Sequence, residues 1–309
     1  MKRSDFLKSA AALAGLSVSL NPYEMPASAQ QAKALRVVHF TDTHIFDDAE
    51  SINGTERAID KINNLKPLPD LVLFGGDNIM DALHTEREKV KLQWKLFHEH
   101  ATSKLKVPYF SCIGNHDVFG WDLDSVEKTD SLYGKKWAMD EMNMPEHFYS
   151  FDRDNWHFII LDSIHIGDGG KGYYGKLDEQ QMEWLSSDLK AAKSKHVLIL
   201  SHMPIVSICP VFHPSSLNEA ANRFEVAATW MHIDGQKLKD LFFDSKNVKL
   251  CISGHTHMQD SITFHDTHYL NNGAVCGNWW KGTYQNFDPA FVILDLLDDG
   301  SFKRQVINY

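Results

Sequence analysis

The 309-residue chain is short of positive charge, of cysteine and of long apolar runs. Lysine and arginine number 31 against 41 acidic residues, a formal net charge of −10. An acidic chain is not expected to bind a nucleic-acid duplex, which calls for a basic face. An anionic substrate would need positive charge supplied locally, and metal ions are the obvious source. No apolar run reaches the roughly 18 residues a membrane-crossing helix needs, so no stable membrane insertion is expected after processing.

The four cysteines, Cys112, Cys209, Cys251 and Cys276, are too few for a disulfide scaffold. Cys112 and Cys251 sit inside apolar runs and read as small buried hydrophobes. A bridge between Cys209 and Cys276 stays open. Repeats, linkers and low-complexity tracts are absent, and 43% hydrophobic residues can bury a large core. Disorder is not expected. The sequence leaves the oligomeric state open.

The start, "MKRSDFLKSAAALAGLSVSLNPYEMPASAQQ", has basic residues Lys2, Arg3 and Lys8, an apolar run from Ala10 to Leu20, and small residues at Ala27 and Ala29. That pattern predicts an export signal over residues 1–29, cut before Gln30, and hence a periplasmic or secreted protein with one domain over 30–309. "RSDFLK" is similar to a twin-arginine signal, with Ser4 in place of the second arginine. The signal holds three cations against Asp5 and Glu24, leaving the mature chain at about −11.

Apolar runs rich in Val, Ile and Leu recur, each closing on polar residues: "LRVVHFTDTH", "DLVLFGGDN", "VPYFSCIGNHD", "WHFIILDS", "HVLILSHMP" and "VKLCISGHTH". Such runs read as strands buried on both faces. Helical patterns fall between them, at about 55–65, 84–100, 178–193 and 235–243. In the third, Leu177, Met182, Leu185 and Leu189 approximate one face and Asp178 reads as the N-cap. The alternation defines an α/β class. After Ser261 short strands follow without helices, with Asp299-Gly300 as a hairpin turn, and suggest a second sheet packed on the first. The connections 118–147 and 204–234 exceed ordinary loop lengths and are candidate recognition insertions.

Ligands of open α/β sheets bind beyond the carboxyl ends of the strands. Asp42 and His44 end the first run, Asp77 the second, Asn115 and His116 the third, His202 a later one, and His255 and His257 the last. One Asp-x-His would mean little, but five strand ends carrying metal-type ligands form a constellation.

The blocks Asp42-x-His44, Gly76-Asp77, Gly114-Asn115-His116-Asp117, His202 and Gly254-His255-Thr256-His257 resemble, in order and context, the five motif blocks of the calcineurin-like metallophosphoesterases. The resemblance implies a four-layer αββα sandwich of two mixed sheets flanked by helices, with two divalent metal ions (Mn, Fe or Zn) at one edge. By motif position it gives one ion to Asp42, His44 and His257 and the other to Asn115, His202 and His255, with Asp77 bridging. Oxygen and imidazole ligands sharing a carboxylate independently suit such a pair. The implied chemistry is in-line attack on phosphorus by a metal-bridging hydroxide, with His116 assisting the leaving group. Asp117 is expected to position the loop.

Met80 departs from two branches of that family. Purple acid phosphatases carry a metal-bound tyrosine there, and protein phosphatases an aspartate paired with the catalytic histidine, so both branches are disfavoured. The "TDTHI" and "GGDN" wording is similar to the bacterial cyclic-nucleotide phosphodiesterases. The implied function is hydrolysis of a small phosphate ester, a diester ahead of a monoester; the alternative is a non-catalytic scaffold binding a protein partner. Trp279, Trp280, Lys281 and Tyr284 supply aromatic faces and a cation for a base, sugar or headgroup, and His213 is a candidate to approach the substrate. His84, His98, His100, His147, His265 and His268 are expected to be solvated.

Overall fold

A computed structural model describes residues 34–309, so the proposed signal lies outside the described residues. Two large mixed sheets face each other. One has five strands in the order Phe302–Asn308, Ala290–Leu296, Leu35–Phe40, Leu71–Phe74, Tyr109–Ser111. The other has six: Gln259–Phe264, Thr267–Asn272, Val248–Ser253, His196–Leu200, Trp156–Ile160, Tyr149–Arg153.

The apolar runs are continuous because each strand is buried on both faces. Leu35 and Val37 point into the core between the sheets with Leu73, Phe158, Leu198, Leu250 and Val292. Their neighbours Val38 and Phe40 point outward beneath the helices Ala49–Asn63 and Arg87–His100, meeting Ile59, Ile62, Trp94 and Phe97. On the second sheet Ile159, Val197 and Ile199 meet Leu185, Leu189, Leu238 and Phe242 of the helices Glu179–Ala191 and Gly235–Ser245. Side chains alternating with period two thus fill three apolar layers in an α/β sandwich. Asp178 caps its helix by accepting from Gln181 N at 2.7 Å.

Two expectations change, and the open question of the cysteines is answered. The strands after Ser261 do not make a sheet of their own: the hairpin 259–272 extends the six-stranded sheet, while the hairpin 290–308 pairs antiparallel with Leu35–Phe40. The first helix starts at Ala49, capped by Asp48, rather than near Thr55. Within it Gly54 leaves room for Trp280, since a Cβ on it would lie 2.1 Å from Cζ3 of that ring. Among the described residues all four cysteines are free: Cys209 Sγ bonds Asp260, and Cys276 lies beside His257.

None of the histidines expected to be solvated is buried, and most are also paired: His98 with Glu141, His100 with Glu56, His147 with Asp162, and His84 with Asp81 and Asp122. His265 packs on Phe243 and His268 bonds Thr263. Apart from Asp81, three residues before His84, the acidic partners come from distant segments, which sequence pattern does not reveal. No helix among the described residues is long and apolar enough to cross a membrane.

The parallel pairings bring the carboxyl ends of Leu35–Phe40, Leu71–Phe74 and Tyr109–Ser111 to one edge of their sheet, and those of His196–Leu200 and Val248–Ser253 to one edge of theirs. Every proposed metal ligand follows one of these five ends.

Candidate metal centre

The loops beyond the strands are stitched together through their backbones. Asp42 N donates to Gly76 O at 3.1 Å, His44 N to Asp77 O at 3.0 Å, and Gly254 N to His202 O at 3.1 Å. Each carboxylate reaches another loop: His116 N donates to Asp77 Oδ1 at 2.8 Å, and His255 N to both oxygens of Asp42 at 3.0 Å. Gly254 permits that approach, because a Cβ there would lie 2.0 Å from Asp42 Oδ2.

Backbone strain gathers here. Asp42, His44, Asp77, His255 and His257 have φ of 56°, 45°, 52°, 69° and 57°, in the left-handed region that side chains other than glycine seldom occupy. Strain of this kind costs on the order of 1–3 kcal/mol per residue and persists where the surroundings impose it, characteristically at functional sites.

Three of the four ligand imidazoles are oriented by main-chain carbonyls, while the buried His44 Nδ1 has no partner among the described residues. His202 Nδ1 donates to Gly75 O at 2.7 Å and His257 Nδ1 to Gly277 O at 2.6 Å, so each directs Nε2 inward. His255 is reversed: Nε2 donates to Thr229 O at 2.7 Å, leaving Nδ1 inward. A carbonyl only accepts, so the hydrogen sits on the outer nitrogen and the inner one offers a lone pair, the tautomer of a metal ligand.

The inward atoms form two halves. His44 Nε2 lies 3.1 Å from His257 Nε2, which is 3.4 Å from Asp42 Oδ1. On the other side His202 Nε2 lies 3.2 Å from Asn115 Oδ1 and 3.2 Å from His255 Nδ1. Asp77 Oδ2 touches both, at 3.5 Å from His44 and 3.2 Å from His202. Imidazole lone pairs this close repel unless positive charge sits between them. The same cluster attracts protons where a cation would serve: burial works to lower the His202 pKa, but Asp77 outweighs it and raises it to about 9. Burial, then His202, lowers His255 to about 4. Burial works to raise Asp77, but His202 and His116 hold it well below the usual carboxylate range. The donor set therefore fits divalent cations.

His116 borders this set, with ligand-type atoms of His116, His44 and Asp77 all within 4.8 Å of one another. Its ring meets that of His44 edge to face at 4.6 Å, its Nδ1 donates to Met80 O at 2.6 Å, and it is half-buried. The Met80 side chain cannot pair with a histidine, but its carbonyl does. Asp117 points away from the centre and accepts main-chain N–H bonds from Asp77, Asn78 and Gly114 at 2.9 Å each.

The aromatic residues divide. Trp279 lies 4.5 Å from the His257 ring and 6.0 Å from His44, with Tyr284 edge-on to it at 5.6 Å. Trp280 braces the backbone instead. Its ring packs on Gly54, and Nε1 donates to Thr43 O at 2.9 Å and His44 O at 3.2 Å, holding a ligand loop. His213 is one ring removed, tilted against Trp230 with ring centres 4.3 Å apart, and Trp230 lies 5.8 Å from His255. Sequence reasoning passed over Trp230, Thr229 and Tyr173, whose ring is 6.2 Å from His255. Their one sequence signal is that Thr229 and Trp230 fall inside the long second insertion.

Two sandwiched sheets with clustered histidines and carboxylates at their carboxyl edge define a metal-dependent phosphoesterase. The chain belongs to the calcineurin-like phosphoesterase family, whose pattern matches residues 35–259. It is 24% identical over 283 residues to a 3′,5′-cyclic-nucleotide phosphodiesterase of Nostoc, covering 88% of this chain and 91% of that one. It is 28% identical over 228 residues to a probable glycerophosphodiester phosphodiesterase of Arcobacter nitrofigilis, covering 72% and 71%. In fold it resembles a dimetal phosphatase from Danio rerio, with a TM-score of 0.61 at 15% identity, over 89% of this chain and 99% of that one. GAP50, the anchor in the inner membrane complex of Plasmodium, aligns with a TM-score of 0.54 at 17% identity, over 89% and 84%.

Proposed function

We propose that the protein hydrolyses phosphodiesters at a binuclear metal centre and is exported to do so. The observation that supports the binuclear reading is Asp77 Oδ2 lying within 3.5 Å of an imidazole from each half, as a ligand shared by two ions would. Asp42, His44 and His257 would hold one ion, and Asn115, His202 and His255 the other. Two divalent ions there would supply the positive charge that an acidic chain lacks and an acidified water at neutral pH.

The protein's own part in leaving-group chemistry falls to His116. With Nδ1–H committed to Met80 O, the proton carried on Nε2 in the imidazolium form is the one available to the departing oxygen. After transfer the neutral ring is already the tautomer that Met80 holds. Two aromatic walls favour a diester over a monoester: Trp279 and Tyr284 flank the His257 half, Tyr173 and Trp230 the His255 half, and a diester carries two organic groups. The relatives named as phosphodiesterases support the same choice. A scaffold role is disfavoured because every ligand position is filled.

His116→Ala should keep the metals and slow turnover roughly 10²- to 10⁴-fold, or about 3–5 kcal/mol of barrier. The loss should be small with nitrophenolate and large with an alkoxide leaving group. Equal losses on both, or loss of metal, would remove the acid role. Faster turnover of nitrophenyl phosphate than of bis-nitrophenyl phosphate would remove the diester assignment. Export predicts a mature N-terminus at Gln30 in the native host, and an intact Met1 on the active protein would contradict it.

A further inference from the structure

Ser201, His232 and Asp234 form a hydrogen-bonded row outside the ligand set. Ser201 Oγ lies 3.1 Å from His232 Nε2, and His232 Nδ1 lies 3.0 Å from Asp234 Oδ1. The order imitates a serine nucleophile with its base and orienting acid. Burial excludes that reading: the three are 2%, 4% and 9% exposed, and the Ser201 hydroxyl donates to Met203 O at 2.8 Å. A side chain sealed from solvent and committed to a carbonyl does not meet a substrate.

The row ties together segments distant in sequence. Ser201 directly precedes the ligand His202. Asp234 Oδ2 accepts from Leu177 N at 3.0 Å, His232 N donates to Pro204 O at 3.0 Å, and Ile233 N donates to Gly175 O at 2.8 Å. Those bonds close the 204–234 insertion onto the sandwich. Three residues before His232, Thr229 offers the carbonyl that takes His255 Nε2–H at 2.7 Å. His202 and His257 are oriented instead by Gly75, directly after the strand Leu71–Phe74, and by Gly277, in the turn that also carries Trp279, both outside the 204–234 insertion. Without Thr229 O, the His255 ring is free to place its hydrogen on Nδ1, the nitrogen that must face the metal.

We propose that Ser201, His232 and Asp234 are positioning residues that seat the 204–234 insertion so that the Thr229 carbonyl fixes the metal-binding tautomer of His255. This rests on the metal-centre reading above. The insertion is thereby part of one half of the centre, that of Asn115, His202 and His255, and not of the half formed by Asp42, His44 and His257. Changes to the outer partners of metal-binding histidines typically weaken metal affinity by roughly 10- to 100-fold.

The test is Mn titration of the metal-free full chain by calorimetry, for wild type and His232→Ala, with imidazole ¹⁵N shifts of His255 recorded in the Zn-loaded protein. Wild type should take up two ions. The variant should bind one with unchanged affinity and the other roughly 10- to 100-fold more weakly, with His255 no longer held as a single tautomer. Asp234→Asn, which keeps the shape of the side chain, gives the same readout where His232→Ala does not fold. Wild-type affinity at both sites with unchanged His255 shifts in a folded variant overturns the positioning role, as does equal weakening of both sites. Wild-type protein that never exceeds one ion overturns the metal-centre reading instead.

Discussion

Asp117 holds Asp77 in place through the backbone: its Oδ2 accepts Asp77 N at 2.9 Å, and the same carboxylate takes Asn78 N and Gly114 N at 2.9 Å. It closes the Asp77 loop against the Asn115 loop while binding nothing itself. Asp117→Ala leaves three buried donors without an acceptor, each costing about 1–3 kcal/mol. Denaturant unfolding should show a loss of about 3 kcal/mol or more, with metal content falling as a consequence. A variant as stable as wild type but unable to bind metal would make Asp117 a ligand.

The two adjacent tryptophans should separate by phenotype. Trp280→Phe keeps a ring against Gly54 but removes the N–H that holds the carbonyls of Thr43 and His44, so metal affinity should fall several-fold. Trp279→Ala removes a wall beside His257 and should raise KM for an aromatic diester while sparing the metals. The reverse pattern, read by metal titration and steady-state kinetics, would exchange the two assignments.

His157 ties its strand to the helix above it, meeting Asp152 at 2.7 Å and Asp188 at 2.8 Å. Burial works to lower its pKa, but the bonds to Asp188 and Asp152 outweigh it and leave the value raised above the ordinary 6.5. The folded state therefore holds this proton more tightly than the unfolded one. The stabilisation is full below about pH 6.5 and is lost as pH rises through the folded pKa. His157→Gln should lower the melting temperature more at pH 6 than at pH 9, and a pH-independent difference would contradict the linkage.

The strand ends were legible because buried strands make continuous apolar runs and their closing residues are chemically conspicuous. Hence Asp42, His44, Asp77, Asn115, His202, His255 and His257 meet in space as their positions at run ends implied. What failed was non-local. The first helix begins at Ala49 rather than near Thr55, and nothing local to the sequence shows that Gly54 within it meets Trp280. The C-terminal strands give no sign of which sheet edge accepts them, because period-two patterning fixes a face and not a partner. Trp280 and Trp279 are indistinguishable as neighbours in sequence, yet one indole faces a backbone loop and the other an imidazole. The Thr229 carbonyl has no sequence signature, since any residue would supply it.

The central claim is that Asp77 is shared between two metal ions and that hydrolysis depends on both. Its most direct test is metal content by mass spectrometry together with bis-nitrophenyl phosphate turnover, for wild type and Asp77→Asn, after chelation and Mn reconstitution. Wild type should hold close to two ions per chain and regain turnover in step with the second, while Asp77→Asn should weaken both sites and stay inactive. Full turnover with one ion, or an Asp77→Asn protein that keeps two ions at wild-type affinity, would contradict the account.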